Sequence, residues 1–222
     1  MNKLTIGIIS ALALAGSLPA NAQFNIVNPL PQKIQATGFT TVPQSVSIKT
    51  TSQRQQSIAV AALKSALKVE QGAKFTVTLG IKGDKNVKAY TKHLPNKAEA
   101  YWLSVGDKGA VVVGNDEEGL FYGVQTLLGS MAQGKLEKGT VSDWPDVDFR
   151  GTVEGFYGTP WSHQARLSQI EFYGRNKMNT YIYGPKDDPY HRDQWRKPYP
   201  TDEAQRIKQL NEVSKQNGVN FY

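Results

Sequence analysis

Two short loops within Phe149–Arg192 carry the residue types best suited to holding a polar ring. The first is Gly155-Phe156-Tyr157-Gly158, and the second is Gly184-Pro185-Lys186-Asp187-Asp188-Pro189-Tyr190. Glycine opens backbone conformations closed to other residues and lets a ligand lie directly on the main chain. The interleaved aromatics, Tyr157 among them, offer faces that match the apolar side of a sugar ring. Lys186 could aim an ammonium donor at the same mouth. Plainer readings stand beside these: a tight turn packed by aromatics, and a solvated lysine. The residues alone leave both open.

Other patterns with chemical potential fall away on inspection. Gly129 to Lys135 fits the first seven positions of a phosphate-binding loop, but Leu136 stands where a hydroxyl should meet magnesium. That stretch also follows a predicted helix, whereas a phosphate loop joins a strand to a helix start. The histidines His93, His163 and His191 show no paired helical spacing, so no metal site is expected. Asp187, Asp188 and His191 could imitate a ligand cluster, yet a polar loop at a strand end has the same composition. No cofactor is called for.

The elements that must position the two loops follow from periodicity. Phe149–Glu154 reads as a strand ending in the first loop. Ser162, after Pro160, is a fitting N-cap for a helix whose inner face is Leu167, Ile170, Gly174 and Met178. Thr180–Tyr183 is the next strand and runs into the second loop. Thr201 is expected to cap a further helix with Asp202 and Glu203 in its first turn, favourable against the helix dipole. Its apolar stripe is Ala204, Ile207, Leu210 and Val213; Gly218 ends it, and a third strand starts at Val219. This β-α-β-α-β order is the repeat of a parallel barrel or a doubly wound sheet. In a barrel, active sites are built at the C-terminal edge, where both loops lie.

The region before it, from Asn25 to about Ser142, mixes strands and helices. Ser45–Lys49, Phe75–Ile81 and Tyr101–Val105 alternate apolar and polar residues, and Val111–Val113 is an unbroken apolar run suited to a central strand. Helices are predicted near Gln53–Val69 and Leu120–Met131, with Gly119 and Gly123 permitting close approach to the sheet. Gly139–Asp148 reads as a connection in which Pro145 stops any helix and an aromatic such as Trp144 could pin the two halves together. The fold expected is α/β: a small α+β accessory domain, a mixed sheet with helices, then the first third of a (β/α)8 TIM barrel. The domain bounds are 1–22, 23–142 and 143–222.

Residues 1–22 read as a secretory signal peptide. Lys3 supplies the positive start, Leu4 to Leu18 the apolar stretch, and Ala20-Asn21-Ala22 the small residues before cleavage. The expected location is periplasmic or secreted, with no membrane attachment after cleavage. There is no cysteine, so stability must come from burial without disulfides. The formal charge is +7, but the lysines are scattered and no nucleic-acid motif accompanies them, so a solvated surface is expected and nucleic acid is not.

The run GTVEGFYGTPWSHQARLSQIEFYGRNKMNTYIYGPKDDPYHR strongly resembles the start of the catalytic barrel of family 84 glycoside hydrolases, the bacterial relatives of protein O-GlcNAcase. The stretch from Asn28-Pro-Leu-Pro-Gln to Glu117–Leu127 resembles the accessory domain before such barrels, a pattern shared with family 20 hexosaminidases. The resemblance implies a β-N-acetylglucosaminidase acting on N-acetylglucosamine-containing glycans or glycoproteins by substrate-assisted retention, without metal or cofactor. It implies that the backbone carbonyl of Gly155, the ring of Tyr157 and the ammonium of Lys186 contact the sugar. In the family the catalytic aspartate pair follows the fourth barrel strand, whereas this sequence ends in its third. Asp187-Asp188 matches a loop motif after the second strand and receives no catalytic role. The fragment is therefore expected to be inactive alone, with the barrel strands' cores partly open. A non-catalytic carbohydrate-binding or interaction module is the alternative.

Overall fold

The computed structural model describes residues 27–131, 134–155 and 158–222. The expected signal peptide and Tyr157 lie outside the described residues. Six strands form the first sheet: β1 (Lys33–Thr41), β2 (Val46–Lys49), β3 (Phe75–Ile81), β4 (Tyr101–Gly106), β5 (Gly109–Gly114) and β6 (Lys135–Asp143), in the spatial order β1-β6-β4-β5-β3-β2. β2, β3 and β5 run parallel; β5, β4, β6 and β1 pair antiparallel. The all-apolar run Val111–Val113 sits in β5, between β3 and β4, as its lack of a polar face requires.

One face of this sheet carries α1 (Ile58–Ala66) and α2 (Glu117–Gly129). Alternation sorts the side chains: Leu79, Leu103, Val105 and Val112 enter the core under the helices with Leu63, Leu120, Val124 and Leu127. Trp102 and Val113 point the other way, onto a 3-10 helix, Lys85–His93. Ser57 caps α1 and Asp116 caps α2, the latter accepting from Gly119 N at 2.8 Å. The close approach expected at Gly119 and Gly123 is present. A Cβ on Gly119 would lie 2.2 Å from Ala100 O, and one on Gly123 2.4 Å from Val112 Cγ1.

The second sheet is parallel, with β7 (Gly151–Glu154), β8 (Thr180–Tyr183) and β9 (Asn220–Phe221) in that order. α3 (His163–Arg175) and α4 (Thr201–Gln216) connect them and bury Ile170, Tyr173, Tyr181, Leu210 and Val219 in a separate core. Ile170 and Leu210 are fully closed off, whereas Leu167, Ile207 and Val213 are half-buried, in line with the partly open core expected there. The opposite face leaves Val153 and Ile182 exposed.

Three local expectations are corrected. Gly139–Asp148 is a strand as far as Asp143, because β6 is paired on both sides, to β1 and β4. Its composition hid this: KLEKGTVSD carries few apolar residues, and β1 alternates between exposed and half-buried positions. Thr201 is the first residue of α4, whose cap position is Pro200 with no side-chain bond, whereas Ser162 does cap α3 through Ala165 N. Ala204 is exposed rather than part of the inner stripe.

The two halves are joined by charge rather than by an aromatic pin. Asp143, at the end of β6, accepts from Lys177 Nζ at 2.9 Å and from Tyr101 OH at 2.8 Å. Arg150 donates through Nε to Lys177 O at 2.9 Å and pairs with Glu99. Trp144 is only half-buried, under the ammonium groups of Lys33 and Lys97.

Candidate active-site edge

β7 and β8 end level, with Glu154 opposite Tyr183, so the loops following them share one edge; Phe221 at the end of β9 lies opposite Tyr181. Pairing continues one residue past the strands, with Gly184 N donating to Glu154 O at 3.1 Å. A Cβ on Gly155 would lie 4.0 Å from Gly184 O. The two expected loops therefore start side by side, at Gly155 and Gly184, and Lys186 follows Gly184 by two residues. The left-handed conformation in the first loop belongs to Gly158, at φ +104°; Gly155 has no such requirement. A Cβ on Gly155 would meet Val153 Cγ1 at 3.3 Å, so that side chain would have to give by a few tenths of an ångström.

Behind this edge sits a buried charge that periodicity did not reveal. Glu154 is completely buried and is gripped by Arg166 of α3, with Nε 2.9 Å from Oε2 and NH2 2.8 Å from Oε1. Trp161 N donates to Oε1 at 3.3 Å, and Tyr181 OH also donates to this carboxylate. Burial opposes the charge on Arg166, but the carboxylate outweighs it and holds the guanidinium above its ordinary pKa. Burial, together with the Glu154 bond and charge, pushes the Tyr181 phenol far up. Charges this deep persist only when paired and fully bonded. The result fixes the strand end immediately before Gly155.

The second loop is folded around Asp188. Its buried carboxylate accepts from Tyr183 OH at 2.7 Å, Tyr199 OH at 2.9 Å and Tyr190 N at 2.8 Å. Burial and this carboxylate raise the Tyr199 phenol to about 12. His191 Nε2 donates to Pro185 O at 2.9 Å and Arg192 to Lys186 O at 2.9 Å. Asp187 is exposed and Lys186 half-exposed. The aspartates thus differ in kind: Asp188 is consumed in holding the loop and Asp187 faces solvent. They do not form an acid/base pair.

A cavity of about 330 Å³ lies beside this loop, lined by Trp161, Arg166, Tyr183, Asp188, Tyr190 and Glu203 among others. Neither Gly155 nor Lys186 lines it, so it is distinct from the mouth expected between the loops. Among the described residues there is no group of three or more His, Asp or Glu placed to hold a metal, and no helix long and apolar enough to cross a membrane. Gly129 ends α2 and Lys135 opens β6, the reverse of the strand-to-helix order a phosphate loop needs.

Comparison with known proteins agrees with this architecture. Residues 150–222 match the family model described as beta-N-acetylglucosaminidase, and residues 25–144 match that of glycosyl hydrolase family 20, domain 2. The solved structure of CpGH84B superposes with a TM-score of 0.77 at 35% identity, over 88% of this chain and 36% of that one. Protein O-GlcNAcase of Rattus norvegicus is 38% identical over 71 residues, 32% of this chain and 8% of that protein. A β-hexosaminidase of Streptomyces plicatus, at 18% identity and TM-score 0.63 over 89% of this chain and 45% of that one, shares the fold. The second model spans more than half of the sequence, which defines the class as hexosaminidase-type glycoside hydrolases. Within it, residues 150–222 are similar to the beta-N-acetylglucosaminidase model and to the protein O-GlcNAcases. The chain spans about a twelfth of the length of the curated O-GlcNAcases it matches.

Proposed function

We propose that the protein removes β-linked N-acetylglucosamine from glycoproteins or glycans. In this reading β7–α3–β8–α4–β9 opens a (β/α)8 barrel, and the Gly155 carbonyl, the Tyr157 ring and the Lys186 ammonium contact the sugar. The observation that supports it most is the meeting of the two loops at one strand edge, Gly155 beside Gly184. That edge is where barrel enzymes build their sites. The chemistry would be substrate-assisted: the sugar's acetamido oxygen attacks the anomeric carbon, the leaving oxygen takes a proton from a carboxylic acid, and water then opens the oxazoline. This chain contributes binding and orientation to that reaction.

The acid/base work is assigned to neither Asp187 nor Asp188. Asp188 cannot approach a leaving group without releasing Tyr183 and Tyr199. Replacing Asp187 or Asp188 by Asn should therefore not abolish turnover of a chromogenic N-acetylglucosaminide. Turnover abolished by Asp187→Asn or Asp188→Asn would overturn the assignment and make that pair catalytic.

Residues 1–22 are proposed to direct export to the periplasm or beyond, leaving Gln23 at the mature end. N-terminal mass analysis of exported material checks this, and a mature protein retaining Met1 would count against it.

A further inference from the structure

Among the described residues, the outer face of the six-stranded sheet is only partly covered, by the 3-10 helix Lys85–His93. Val87, Tyr90 and His93 recur every third residue of the 3-10 helix and share the side facing the sheet. Val87 packs with Trp102 and Val113, while Tyr90 and His93 stack with Trp102 at 5.7 and 5.0 Å. Beyond this ridge, β6 and β1 present polar side chains. Register aligns Trp102 with Ser142 and Lys33 across three strands, and Ser104 with Thr140 and Gln35 two residues along. The step between ridge and open sheet is a groove of about 380 Å³ lined by Lys33, Gln35, His93, Trp102, Thr140 and Ser142.

The ridge is strongly basic. Residues 82–97 hold five lysines against one carboxylate. That carboxylate, Asp84, is buried and engaged by Arg54 Nε at 3.2 Å and Ile81 N at 2.9 Å. Lys85, Lys88, Lys92 and Lys97 are exposed, and none has a carboxylate partner among the described residues; Lys82 bonds only the neutral Asn96. Lys97 and Lys33 converge on Trp144, at 4.5 and 5.5 Å from its ring centre, beside the groove. Of these lysines only Lys33 lines the hydroxyl- and amide-floored groove; the others add positive charge to the segment whose His93 forms its wall.

We propose that this groove and its lysine rim bind an acidic polysaccharide, a chain of uronate-bearing sugars. Hydroxyl and amide side chains on the floor match sugar hydroxyls, while the rim matches carboxylates. Lys33 is the one permanently charged residue of the lining, which suits one carboxylate per repeat better than dense sulfation. Single-stranded nucleic acid fits less well, since it requires exposed aromatic platforms; Trp102 is only 7% exposed. The inference is independent of the glycosidase reading, because the groove belongs to the first sheet and the active-site edge to the second.

The test is calorimetric titration of the full chain with oligogalacturonate, at low and at physiological salt. Binding that weakens with salt is expected. The variant Lys85→Glu/Lys88→Glu/Lys92→Glu should weaken it about tenfold or more, and so should Gln35→Ala/Thr140→Ala, with unchanged circular dichroism. Lys208→Glu/Lys215→Glu on α4 should leave it unaltered. No binding, equal weakening by the α4 variant, or tighter binding of a sulfated oligosaccharide, a neutral chitooligosaccharide or single-stranded DNA would each overturn the proposal.

Discussion

Lys177 Nζ lies 2.9 Å from Asp143 Oδ2, joining the turn after α3 to the last residue of β6. Both groups are buried, and Lys177 holds a left-handed backbone at φ 59° to reach its partner. Burial lowers the lysine's pKa, and the facing carboxylate only partly opposes that. The pair therefore ties together two sheets that have separate cores.

Lys177→Met should destabilise the chain by about 3–5 kcal/mol, because it strands a buried carboxylate. Lys177→Met/Asp143→Asn should recover part of that loss, since no unpaired charge remains. Urea denaturation of the two variants measures the difference. Equal loss in both would mean that packing, not charge, joins the halves.

Glu154→Ala should be comparably damaging, by about 3–5 kcal/mol, through the unpaired guanidinium of Arg166. The damage should concentrate in the second sheet, so limited proteolysis should cut within residues 150–222 while the first sheet resists. Uniform cleavage across both would count against two separately cored units.

Glu137 on β6 supplies a pH test. Its carboxyl is buried, Oε2 has no hydrogen-bond partner, and burial raises its pKa from 4.5 to about 7. Because the folded state keeps its proton longer than the unfolded state, this contribution is fully present below 4.5. It declines as pH rises toward 7 and is gone above that. Glu137→Gln should remove that decline and raise Tm at pH 8 by a few degrees. A melting profile with the same slope as the parent between pH 4.5 and 7 would reject this role.

Lys186→Ala, in a chain spanning the family's full length, should lower catalytic efficiency about ten- to a hundredfold. A hydrogen bond to a charged group is worth about 1.5–3 kcal/mol. Gly155→Ala should fold with a small shift of the Val153 side chain, whose Cγ1 its Cβ would meet at 3.3 Å, yet should weaken N-acetylglucosaminide turnover by crowding the sugar. Unchanged turnover in both would return these positions to a packed turn and a solvated lysine.

Elements whose signals are local could be read from the residues alone. Alternation in Phe75–Ile81, the apolar run of β5, the Ser162 cap and the glycines of α2 each act over a few residues, and each stands in the structure. The strand at Tyr101 forms too, but with Trp102 buried on its second face instead of the alternation expected. The loops after β7 and β8 were legible for the same reason, as glycine, aromatic and charged residues punctuating short strands. Elements in which long-range pairing substitutes for apolar pattern emerge only on folding. β1 and β6 are strands because 33–41 and 135–142 find each other across a hundred residues, a fact their polar sequences cannot carry. Glu154 and Arg166, or Asp143 and Lys177, look like surface residues until folding encloses them together. A buried ion pair is a property of two distant positions at once, and periodicity reads only one at a time.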